Sequence, residues 1–210
     1  MTTSFERRTT AIIVLTALAA FFLASCSNPV NQVTADRYYR SGIAASRAND
    51  YPFAVQQLAR AHINVKLGNL GPAAEATVLY EYAIISGFAG KTAQADRSFQ
   101  QVLSLIPQAR GEVDRLLSPT LAEYARFLQD QGQHRKAAPI FQQAVHALEK
   151  DQADKSDPIA FANFLDRAAR SLRIAGHSTA SQTLKKRANS LRRAHPGKKA
   201  SFTPKRYPRA

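Results

Sequence analysis

The chain has 210 residues, with 29 lysines and arginines against 15 acidic residues and a formal net charge of +14 at pH 7. A single cysteine excludes an internal disulfide and leaves no second thiol for a metal site. The charge is uneven, because Lys185 to Ala210 holds ten Lys/Arg and no acidic residue. At the N-terminus, Arg7 and Arg8 precede an uncharged run of 13 residues, Ala11 to Leu23. A helix needs about 20 apolar residues to cross a bilayer, so this run is too short. Its length, its basic flank and the small residues behind it predict a secretory signal peptide over residues 1–25.

Leu23-Ala24-Ser25-Cys26 closes that run. The four residues resemble the lipobox of bacterial lipoproteins, in which a branched and two small residues precede the modified cysteine. The resemblance implies cleavage before Cys26, a diacylglycerol thioether on its sulfur and acylation of the new amino group, palmitate being a typical chain. One acyl chain binds a bilayer marginally and two bind it stably, at about 0.8 kcal/mol per buried methylene. Ser27 resembles an outer-membrane sorting signal, which implies the outer membrane, facing the periplasm, in a Gram-negative cell. Residues 26–35 are polar around Pro29 and are expected to form a lipidated tether.

Beyond the tether, one pattern recurs: a turn, a small residue, a large apolar residue four later, and a further apolar or small residue. Its copies are Asn49-Asp50-Tyr51 with Ala54, Leu58 and Ala61; Gly90-Lys91-Thr92 with Ala95, Phe99 and Val102, closing on Pro107; Gly132-Gln133-His134 with Ala137, Phe141 and Ala144; and Gly176-His177 with Ala180, Leu184 and Ala188. The leading alanines lie 41, 42 and 43 residues apart. Before each turn, small and apolar residues three and four apart mark a partner helix: Tyr39 and Gly42; Leu79, Tyr82 and Ala83; Leu121, Tyr124 and Ala125; Phe161, Phe164 and Leu165. Pro72, Pro119 and Pro158 stand where helices should start, and Ser118 and Asp157 are expected to cap two of them. No segment alternates with period two. The predicted domain, residues 36–193, is all-α, with about four helical hairpins of 41–43 residues.

These hairpins resemble the tetratricopeptide repeat (TPR), although the spacing exceeds the usual length and tryptophan never fills its usual position. The resemblance implies a solenoid whose first helices line a concave groove for peptides or protein segments. By alignment, the groove residues are Tyr39 and Ile43, Tyr80 and Ile84, Arg126 and Gln129, then Asn163, Asp166 and Arg170. Apolar at one end and mixed-basic at the other, this lining is expected to suit a segment with apolar and acidic parts.

Catalysis has little support. His62, His134, His146, His177 and His195 are scattered, without an acidic partner at ligand spacing, and His134 and His177 fall in turns where solvation is expected. Gly87-Phe88-Ala89-Gly90-Lys91-Thr92 ends like a phosphate-binding loop, but Ile85 stands where that loop needs glycine. No catalytic residue, metal or cofactor is expected. Residues 194–210 contain Pro196, Pro204 and Pro208 and are predicted to be disordered. In one reading Lys198, Lys199, Lys205, Arg206 and Arg209 contact anionic lipid, lipopolysaccharide or wall polymer, at about 1 kcal/mol per charge, with the repeats as a spacer. Nucleic acid fits the composition but conflicts with export. The leading expectation is a non-enzymatic, membrane-anchored scaffold for envelope proteins. Families pairing this anchor with these repeats include pilus-assembly lipoproteins and regulators of cell-wall enzymes.

Overall fold

The computed structural model describes residues 28–209. The signal peptide, the lipobox and Cys26 lie outside the described residues. Among the described residues eight long helices form four hairpins: α1 (Pro29–Arg47) with α2 (Tyr51–Leu67), α3 (Gly71–Phe88) with α4 (Thr92–Leu105), α5 (Leu117–Asp130) with α6 (His134–Lys150), and α7 (Pro158–Ile174) with α8 (Ser178–Ala194). Within each hairpin the two helices pack closely, and successive hairpins stack in chain order. Among the described residues there is no strand, and no helix is long and apolar enough to cross a membrane. The helical-hairpin repeat predicted from the alanine spacing is the fold.

Each hairpin turns in the same way. Asn49, Gly90, Gly132 and Gly176 take φ values of 61°, 73°, 75° and 94°, a region that glycine enters freely and asparagine tolerates. The next amide then reaches back to a late helix carbonyl: Asp50 to Ala45 at 2.9 Å, Lys91 to Ser86 at 2.9 Å, Gln133 to Leu128 at 2.8 Å and His177 to Leu172 at 2.9 Å. This repeated helix stop satisfies carbonyls that would otherwise lack partners.

The core follows the predicted pattern. Ala54, Ala95 and Ala137 are fully buried beside Leu58, Phe99 and Phe141, also fully buried. In the first hairpin a Cβ on Gly42 would sit 2.7 Å from Leu58 Cγ, so the close helix approach needs glycine there. The fourth copy is looser, with Ala180 and Leu184 only partly buried.

Three expectations need correction. The tether was expected to extend to residue 35, but α1 begins at Pro29: Asn28 Oδ1 accepts from the Val30 amide at 3.0 Å, and Ala35 is buried. Ser118 does not cap α5. It lies inside the helix and hydrogen-bonds to Asp151. Asp157 does cap α7, accepting from the Ala160 amide at 2.9 Å. The largest correction concerns the C-terminal stretch expected to be disordered, which packs onto the first helices of the repeats.

Candidate functional site: the first-helix groove and its occupant

After α8 the chain runs without regular structure from Pro196, meets the start of α7 at Asp157 and continues to the C-terminal end of α5 at Asp130 and Gln131. Ser201 donates its amide to Asp157 Oδ2 at 2.9 Å, and its hydroxyl binds the same oxygen. Four residues on, the Lys205 carbonyl accepts from Arg126 on α5 at 2.8 Å. Lys205 Nζ reaches the α1–α2 turn, donating to Tyr51 Oη at 2.7 Å and Asn49 Oδ1 at 3.2 Å. The Tyr207 amide donates to Asp130 Oδ2 at 3.1 Å, and the Pro208 carbonyl accepts from Gln131 at 2.6 Å. Two prolines and no glycine between Ser201 and Pro208 favour an extended path.

Tyr207 anchors the segment. It is 3% exposed, stacks on Phe88 at 4.4 Å between ring centroids and meets Phe127 edge-on at 5.5 Å. Its hydroxyl donates to Glu123 at 2.9 Å. The slot exists because residue 87 is glycine: a Cβ there would lie 2.8 Å from the Tyr207 ring. Glycine inside a helix costs about 1 kcal/mol relative to alanine. Here it makes room for an aromatic ring, and offset or edge-on ring pairs return about 0.5–1.5 kcal/mol each beyond their buried area.

The slot is acidic. Burial, with the Glu123 carboxylate nearby, holds the Glu81 carboxyl above the usual carboxylate range. Burial and then Glu123 raise the Tyr207 phenol well above its ordinary value, and Tyr80 is raised for the same two reasons. The Tyr207 proton is therefore held as a donor. Arg126 pairs with Glu123, and Asp130 pairs with Arg167 at 2.7 Å, burial being the main cause that lowers the Arg167 pKa.

The predicted groove residues divide into three sets. Tyr80, Arg126 and Asn163 line one cavity of about 640 Å³ with Phe202 and Pro204 of the tail. Gln129, Asp166 and Arg170 line a second, of about 530 Å³, with Arg206, Tyr207 and Arg209. Tyr39 borders a separate cleft between α1 and α3, while Ile43 and Ile84 pack against core clusters. Arg126 and Gln129 are buried, at 4% and 9% exposure. The tail covers Arg126, whereas Gln129 is a brace between α5 and α7, donating to Ser171 Oγ at 2.8 Å and accepting from Arg167 at 2.7 Å. Asn163 and Asp166 both accept from Arg192 on α8.

Of the predicted tail cations, Lys205 lies 5.0 Å from the Tyr51 ring centroid and is engaged by the groove. Lys198, Lys199, Arg206 and Arg209 remain exposed. His134 is not simply solvated: its ring nitrogen lies 3.1 Å from Ser171 Oγ, and burial, with Arg170 and Arg209 nearby, lowers its pKa. His62 also finds an acidic partner, Glu75 at 2.9 Å. Glu75 additionally accepts from Gln101, so this pair braces α2, α3 and α4. Among the described residues no group of three or more His, Cys, Asp or Glu could hold a metal ion.

Sequence reasoning missed Gly87, Glu123, Asp130 and Tyr207. The available signal was a lone tyrosine between basic residues and two prolines, in a segment otherwise poor in large side chains.

No family model matches the sequence, and no curated protein matches it. The fold does have solved counterparts. BtubC (BKLC) from P. vanneervenii superposes with a TM-score of 0.68 at 15% identity, over 86% of this chain and 70% of that one. A putative kinesin light chain from Podosopora anserina, described as having nearly identical TPR-like repeats, gives 0.62 at 16% identity over 90% and 89%. MamA gives 0.57 at 12% identity, over 92% of this chain and 96% of that one. At these identities the likeness shows the fold, a TPR-like helical-hairpin solenoid.

Proposed function

We propose that this chain is a non-enzymatic interaction scaffold of the bacterial envelope, exported and held at a membrane by lipid on Cys26. Its first-helix groove receives a segment of another envelope protein. The observation that carries the groove reading is the tail itself. The extended stretch touches all four hairpins, at Tyr51, Phe88, Arg126 and Asp157, and its main chain is held by Arg126, Asp130, Gln131 and Asp157. A surface that holds one extended segment this way is built to hold such segments. The anchor rests on the Leu23–Cys26 motif behind the apolar run, and placement in the outer membrane rests on Ser27. The rival reading, in which a free basic tail grips anionic lipid or polymer, loses support because Lys205 and the main chain beside it are engaged by the groove.

Photocrosslinking in intact cells tests the scaffold. A crosslinker replacing Tyr80 or Asn163 should give discrete adducts with other envelope proteins, and one at exposed Gln142 on α6 should not. Equal adducts from all three positions would remove the groove reading. Separately, Cys26→Ala should abolish acyl labelling. Persistent labelling, or none in the parent chain, would remove the anchor.

A further inference from the structure

The contacts that hold the tail have the character of ligand recognition. Four are to main-chain groups, at Ser201, Lys205, Tyr207 and Pro208. The side-chain contacts concentrate on one aromatic ring in a glycine slot and one ammonium, which lies 5.0 Å from the Tyr51 ring and 5.6 Å from the Phe88 ring. None of them needs the segment to be covalently joined to α8. The surroundings also set the sign of the occupant's charge. Glu123 accepts from the Tyr207 hydroxyl and Asp130 from its amide, but Arg126 and Arg167 already pair with these carboxylates. The charge is therefore read at the ammonium, which lies over the Tyr51 and Phe88 rings and donates to Tyr51 Oη. An acidic residue at that position would be repelled by the ring faces, whereas a lysine or arginine is attracted to them.

We propose that the groove is a receptor for an extended basic segment of the form Lys-x-Tyr-Pro presented by a partner protein, and that residues 201–209 are its resident occupant, which the partner segment displaces. This rests on the reading of the groove as the partner-binding face, and it revises the expectation that a partially acidic segment would suit it. Tethering makes the resident a strong competitor, since a short linker gives an effective concentration in the millimolar range. A partner's apparent affinity is then reduced by the fraction of molecules whose groove is open. Activity as a scaffold is thereby held low until a partner segment is locally abundant.

The test is fluorescence anisotropy with a labelled peptide of residues 200–210 (ASFTPKRYPRA) and the full chain in three forms. Wild type should bind weakly. Tyr207→Ala, which releases the anchor, should bind about tenfold more tightly or better. Gly87→Ala should not bind, because its methyl group fills the ring slot, although alanine favours the helix over glycine. The same peptide with its tyrosine changed to alanine should not bind any form.

Equal binding to wild type and Tyr207→Ala, no binding to a folded Tyr207→Ala chain, or tight binding to Gly87→Ala would each overturn the proposal. Should Tyr207→Ala fail to fold, Ser201→Ala combined with Lys205→Ala removes two exposed anchors and leaves the core intact. It should raise peptide affinity several-fold, and no increase overturns the proposal. Crosslinks from position 80 without peptide binding would leave the scaffold reading standing and remove only this one.

Discussion

The interior of each hairpin and the groove across the hairpins use similar chemistry, aromatic rings against small residues, but at different distances along the chain. Phe99 shares a core cluster with Ala83 and Ala95 of its own repeat and lies 5.2 Å from Tyr124 and 5.8 Å from Phe127 of the next. Tyr207 meets Gly87 across 120 residues of sequence and Lys205 meets Asn49 across 156. The short-range set is repeated four times and fixes the architecture. The long-range set occurs once and closes a surface. Substitutions in the first set should therefore unfold the solenoid, while those in the second should open the groove and leave the solenoid standing.

The largest expected effect is in the packed core of the repeats. Phe141 is fully buried and rests against Phe164 at 5.3 Å, so Phe141→Ala should cost about 3–5 kcal/mol. In calorimetry the transition should fall by about 10 °C. A shift under a few degrees would mean that the repeat interface is not packed as described.

Asp157 joins the two sets, since it caps α7 and holds Ser201. Asp157→Ala should lose about 1 kcal/mol with the cap and speed trypsin cleavage after Lys199. The hydrogen bond from Ser201 and then that from the Ala160 amide depress its pKa. Its contribution is thus present above the ordinary carboxylate range and is lost as pH falls through the depressed value. Protection of the Ser201 amide against hydrogen exchange should fall in that acidic window in wild type, and should change less in Asp157→Ala.

The smallest effect is expected at Glu81, whose pKa is raised by burial and by Glu123. A raised value means that the folded state favours the protonated form. That stabilisation is present below the ordinary glutamate pKa and is lost as pH rises through the folded value. Glu81→Gln should therefore raise Tm by a few degrees at most at pH 7 and match wild type near pH 4. An equal gain at both pH values would contradict the cause given.

The same division explains what the sequence disclosed. The turns at Asn49, Gly90, Gly132 and Gly176 and the buried alanines were legible because each is a local requirement that recurs, so the repeats confirm one another. The α1 start at Pro29 was obscured because polar Asn31 and Gln32 look like linker, although Asn28 followed by a proline is a helix-start signal. Composition suggested a free tail, since few large side chains follow Ala194. What composition could not express is that one tyrosine suffices when a glycine slot awaits it. Gly87 lay in a segment that ends like a phosphate-binding loop, and once Ile85 excluded that reading nothing nearby in the sequence named the glycine's partner.

The central claim, that the C-terminal segment is seated in the groove, is tested most directly by hydrogen exchange at the Tyr207 amide, which donates to Asp130. In wild type this amide should be protected well above the rate of an unstructured peptide. In Gly87→Ala that protection should vanish while amides of α6 keep theirs. A wild-type Tyr207 amide exchanging at the unstructured rate would contradict the account.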